Sequence, residues 1–171
     1  MRGAHMHPGF LETTTGGRVF FWNLDGAVGL NGVNNFDDVM FVQWCIYKSS
    51  MWPGIDQAAA IAGYATDAHS FRESLRKVPI SGSCSGDEDD ETVDKIKFLQ
   101  ALTTGPMDGR VSPIHQSVRY TDGFGVRRLY LIFWLNQILK DLHPREFPRL
   151  DLMLPFVWRI SNKVKPVFWE K

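Results

Sequence analysis

The chain has 171 residues, the length of one domain or of one domain with appendages. Hydrophobic residues make up 44% and charged residues 22%, enough apolar material for a true core, which excludes wholesale disorder and a disulfide-dense miniprotein. Nineteen basic residues balance nineteen acidic ones, so the broad positive field that drives nucleic-acid binding or adhesion to anionic membranes is missing.

The first residues, Met1-Arg-Gly-Ala-His-Met6, read as a vector-derived leader. We therefore set residues 1–17 apart as a leader and flexible N-terminus, and residues 18–171 as a single globular domain. His5 and His7 belong to or adjoin that leader. No cleavable signal pattern follows, and the longest apolar run, Leu129 to Leu135, is too short to span a bilayer. The expected location is cytoplasmic, or the periplasm by a signal-independent route.

Arg18 to Leu24 (RVFFWNL) is a β-like aromatic run between Gly16-Gly17 and Asp25-Gly26. After a Gly/Asn stretch, Asp37 to Tyr47 predicts a helix. Asn34 or Asn35 is its cap, Asp37 and Asp38 favour its N-terminal dipole, and Val39, Val42 and Ile46 fall at helical spacing. Trp52-Pro53-Gly54 breaks the chain. Short helices are expected over Ala58–Tyr64 and Asp67–Lys77, with Phe71 and Leu75 on one face of the second.

Pro79 to Asp90 is a polar loop whose acidic end suits the N-terminus of a helix over Glu91–Leu102, striped by Val93, Ile96 and Leu99. Met107 to Gly125 is rich in turns. Val126 to Leu142 is the strongest helix and, apolar on most sides, is expected to be central and buried. His143-Pro144 ends it. Two β-like runs close the chain, Phe156–Ile160 and Pro166–Trp169. They can pair with each other or with Arg18–Leu24 in a small terminal hairpin or sheet.

Of the two cysteines, Cys45 reads as a core residue within the first helix and Cys84 as an exposed loop residue. A bridge between them stays open, but two cysteines make no framework.

Three segments repay closer reading. The first is Val28-Gly29…Asn34…Asp38-Val39-x-x-Val42-Gln43. The second is Ile80-Ser81-Gly82…Gly86…Thr92-x-x-x-Ile96-x-x-Leu99-Gln100. The third is Asp108-Gly109-Arg110-Val111-Ser112-Pro113. In the first two a turn of Asp, Asn or Gly feeds a helix with a buried stripe. Gln43 and Gln100 end these stripes, where an amide can satisfy loop backbone groups. In the third, Gly109 permits positive φ and Asp108 bonds nearby amides.

In this order the segments resemble the peptidoglycan-binding-like domain family, small helical modules attached to many cell-wall hydrolases. The resemblance covers about residues 27–113. It implies a mainly α fold: a compact helical bundle with a helical insertion at about residues 50–78, the residues from 126 to 171 adding a helix and the β-like tail. Four features depart from the family: the longer link between the first two segments, Ser81-Gly82 in place of Asp-Gly, the acidic run Asp87–Glu91, and the C-terminal extension. The opening also looks like that of modules carried by bacterial secreted effectors, type VI cargo included.

The function so implied is non-catalytic binding of bacterial cell wall. Peptidoglycan or its fragments would be the partner, alongside a bacterial effector or secretion-system protein, with no cofactor, nucleic acid or membrane. A protein-interaction or adaptor module that keeps the fold is the second reading, and a small cell-wall hydrolase the third.

The candidate ligand-binding residues are Asp108, Gly109 and Arg110 at the turn, with Trp52 and Tyr64 as aromatic walls. Phe71 is a further wall, and Arg119 stands with Arg110 as a partner for peptide carboxylates. Each also has a plain packing or surface role. Cys84, His115 and Asp108 assemble a nucleophilic set only on paper, and no catalytic residue is assigned. The run Asp87–Glu91 lacks the alternation of a calcium loop and reads as a solvated helix start; no metal site is assigned. His69, His115 and His143 are read as superficial.

Overall fold

The computed structural model describes residues 6–13, 16–63, 68–103, 106–115, 119–120, 130–147 and 149. Among these the protein is mostly α with minor β, built on one hydrophobic core. In chain order the elements are β1 (His7–Thr13), β2 (Arg18–Asn23), β3 (Val28–Gly29), α1 (Phe36–Ser49), α2 (Ile55–Ile61), α3 (Ala68–Arg76), α4 (Glu91–Thr103), β4 (Arg110–Val111), β5 (Arg119–Tyr120) and α5 (Leu131–Leu142).

The expected N-terminal boundary at residue 18 is corrected by the hairpin. β1 pairs antiparallel with β2 from His7↔Asn23 to Glu12↔Arg18, and Leu11 is fully buried. The expected partners of Arg18–Asn23 lay in the C-terminal tail, outside the described residues, but its partner on this edge comes from the supposed leader. A strand at His7–Thr13 is hard to read because Pro8 and Gly9 are poor strand formers. Both have local reasons to be there. Pro8 sits opposite Trp22, whose N–H turns away from β1 to Asn136. Gly9 lies under the Phe21 ring, which a Cβ would meet at 2.5 Å. β5 pairs with the other edge of β1, in parallel.

α1 and α5 are the central helices and pack on each other. α1 is buried continuously from Phe41 to Ile46, so its apolar residues form more than the single stripe expected. α5 buries Leu131 through Asn136, as its all-round apolar pattern requires. The insertion folds as α2 and α3. Phe71 stacks on Phe98 of α4 with ring centroids 3.9 Å apart. Arg72 holds Asp56 through two hydrogen bonds, 2.9 and 2.7 Å, and reaches the carbonyls of Ser50 and Trp52.

At the start of α1 the Asn35 side chain does not cap a helix N–H. It donates instead to Asp38 at 3.1 Å, and buried Asp38 accepts the N–H groups of Asp25 and Gly26. Burial pushes the Asp38 carboxyl above its ordinary range, against the pull of the hydrogen bonds from Gly26, Asn35 and Asp25.

Candidate functional site

The three motif segments meet at one junction. Val28 and Gly29 form a two-residue antiparallel ladder with Val111 and Arg110, so the opening of the first segment pairs directly with the third. Leu30 N–H donates to the Gly109 carbonyl at 2.9 Å, and Asn31 N–H to the Gly86 carbonyl at 3.0 Å. Gly29 has φ +106°, and a Cβ there would lie 2.2 Å from the Gly109 carbonyl oxygen. Only glycine allows both that conformation and that approach. Asn34 seals the bend: its side chain accepts the Gly29 N–H at 2.7 Å and donates to the Gly29 carbonyl at 3.1 Å.

Two buried glutamines hold the other two turns. Gln43 on α1 accepts the N–H groups of Ser81 and Gly82, both at 2.9 Å, and donates to the Ser83 carbonyl and the Thr92 hydroxyl. Gln100 on α4 accepts the Gly109 N–H at 2.9 Å and donates to the Arg110 carbonyl and Asp108 Oδ1, at 2.9 and 2.7 Å. Each glutamine thus binds a turn whose glycine has positive φ, +74° at Gly82 and +68° at Gly109. This is the role expected for an amide at the end of an apolar stripe.

Beside the second turn lies a small, solvent-open cleft of about 40 Å³. Gln100 and Thr103 from the end of α4, Asp108, Arg110, Ser112, and Tyr130 at the start of α5 are among its lining residues. Asp108 Oδ1 also accepts the Arg110 N–H at 3.0 Å, which fixes the turn. Gly109 is buried, while the side chains of Asp108 and Arg110 are exposed.

Of the other sequence candidates, Tyr64 lies outside the described residues, and Arg119 is described only as part of β5. Trp52 is not part of this lining. Its ring stands edge-on to Trp134 of α5 at 5.7 Å, and its Nε1–H donates to Asp141 at 3.1 Å. Phe71 is core.

Cys84 is half-buried rather than exposed, because the 81–86 loop is drawn onto the core; burial raises its thiol to about 11. Both cysteines are free. No described hydrogen bond joins Cys84, His115 and Asp108 to one another. Asp90 caps α4, its two oxygens accepting the N–H groups of Thr92 and Ser85, both at 2.7 Å. Burial opposes its ionisation, but these bonds outweigh it and hold the carboxyl below its ordinary range.

His143 is not superficial. Its ring stacks on Trp44 at 6.3 Å, and its buried Nε2 has no hydrogen-bond partner among the described residues. Among the described residues no three His, Cys, Asp or Glu side chains gather as metal ligands, and no helix is long and apolar enough to cross a membrane.

Compared with protein-family models, with curated proteins and with solved structures, the chain has no match.

Proposed function

We propose that this chain is a non-catalytic binding module for bacterial cell wall, with a helical core of the peptidoglycan-binding-like type and its ligand site at the Asp108–Arg110 turn. One observation carries the reading. Two units, each a helix whose buried glutamine grips a glycine turn, are joined through the Val28–Gly29 ladder with Arg110–Val111. This arrangement supports the kinship drawn from the three motifs. It leaves a rigid turn beside an open, largely polar cleft, where weak contacts to a glycan–peptide polymer can form.

The test is co-sedimentation of the purified protein with insoluble sacculi. The expected result is recovery in the pellet, reduced by Arg110→Gln. Protein that stays in the supernatant across pH and salt rejects the reading.

A protein-interaction module is the second reading, favoured by Val33 and Phe36, which are 69% and 45% exposed at the entrance to α1. A single stoichiometric protein partner recovered from native cells, with no sacculus binding, would decide for it.

A further inference from the structure

We infer that the cleft anchors a zwitterionic α-amino carboxylate head group, ammonium and carboxylate on one carbon. In the wall it would be carried by the free end of a diaminopimelate-type stem peptide. This rests on the cell-wall reading above and assigns that site its chemistry.

Asp108 and Arg110 line the same cleft and are both exposed. Asp108 commits Oδ1 to the turn, to Gln100 Nε2 and the Arg110 N–H, and its other oxygen makes no described hydrogen bond. Among the described residues the Arg110 guanidinium has no hydrogen bond or ion pair, and the two opposite charges do not pair with each other. They are nevertheless held two residues apart on a fixed backbone. Gln100 grips Gly109 and the Arg110 carbonyl, and β3 pairs with Arg110 from the other side.

A simple anion gains from Arg110 but meets the Asp108 carboxylate, and a simple cation meets the reverse. A group carrying both charges gains from both: the guanidinium fork takes its carboxylate, and the free Asp108 oxygen takes its ammonium. Tyr130 gives the cleft an aromatic wall against which the methylene stem behind such a head group can lie.

The experiment titrates the intact 15N-labelled protein with three probes: a soluble muropeptide ending in meso-diaminopimelate, the same muropeptide ending in L-lysine, and free meso-diaminopimelate. The lysine probe lacks the second carboxylate. The expected result is chemical-shift change at the Gly109, Arg110 and Ser112 amides, with the first probe binding at least tenfold tighter than the second. Asp108→Asn retains the Oδ1 acceptor of the turn and removes the charge; Arg110→Gln removes the other charge at an exposed position. Each abolishes the preference.

Free meso-diaminopimelate binding as tightly as the muropeptide supports the zwitterion and assigns its source to a free amino acid. Equal affinity for the two muropeptides, or a preference that survives both substitutions, overturns the inference while sacculus binding still stands. No shift with any probe and no co-sedimentation removes both readings.

Discussion

Asn136 of α5 treats Trp22 as a neighbouring strand would. Its Oδ1 accepts the Trp22 N–H at 2.7 Å and its Nδ2 donates to the Trp22 carbonyl at 2.9 Å, across 114 residues of sequence. Asn23 does the same to Ile114, accepting its N–H at 3.0 Å and donating to its carbonyl at 2.9 Å. With Asn34, Gln43 and Gln100, five side-chain amides each satisfy both kinds of backbone group where ladders stop short. Buried backbone groups need partners, and two-residue strands supply few. Replacing Asn136 with Leu removes the acceptor of the Trp22 N–H and the donor to its carbonyl in the core. A loss of about 2–4 kcal/mol in urea unfolding is expected, with little change in m-value. A loss below about 0.5 kcal/mol would contradict this account.

Gly29 tests the junction of the three motif segments. Gly29→Ala must place a methyl group on the Gly109 carbonyl and hold an unfavourable φ, so soluble folded protein is expected to fall sharply. Gly16 and Gly63 also have positive φ, but a Cβ there meets nothing within 4 Å. Alanine at those positions costs about 1–2 kcal/mol of backbone strain alone. Circular dichroism and thermal midpoints of the three variants separate strain from collision.

Burial lowers the pKa of His143 below the ordinary 6.5, as does the charge of Lys48, which lies 5.5 Å from the Trp44 ring centroid; Glu146 partly opposes both. Because folding favours the neutral ring, the unfolded chain binds more protons between the folded pKa and 6.5. Stability from this group is complete above 6.5 and lost as pH falls through the folded value. His143→Phe keeps a ring against Trp44 and removes the titration. Denaturation midpoints taken between about pH 5 and 8 should then vary less steeply than in the parent protein. An unchanged slope would show that another group carries it.

With its thiol raised to about 11, Cys84 holds roughly one thiolate in a thousand at pH 8. Cys45 is fully buried. Iodoacetamide should therefore label the native protein slowly and both cysteines promptly after denaturation. Rapid labelling of native Cys84 at neutral pH would place it in a different environment.

Arg72 ties the insertion to the end of α1 through Asp56 and two carbonyls. Arg72→Ala is expected to raise hydrogen exchange in α2 and α3 more than in α5, because local opening is set by local contacts. Uniform acceleration would mean that the insertion unfolds only with the whole.

The amino-acid sequence by itself determined which stretches form helices, that Cys45 and the long apolar helix are buried, and that the Gln43 and Gln100 amides satisfy loop backbone groups. It misplaced helix ends: α2 spans Ile55–Ile61 rather than Ala58–Tyr64, and the long helix begins at Leu131, after extended Tyr130. Helical periodicity, caps and breakers act over a few residues, so they are readable locally. The tertiary structure decided the rest. β1 is concealed by Pro8 and Gly9 until β2 and Phe21 explain them. β3 and β4 are two residues long and show no period. Trp52 faces Trp134 rather than the Asp108 cleft, and His143 buries a ring nitrogen against Trp44. Each of these depends on a partner distant in the chain, and it is packing, which joins such residues, that selects the partner.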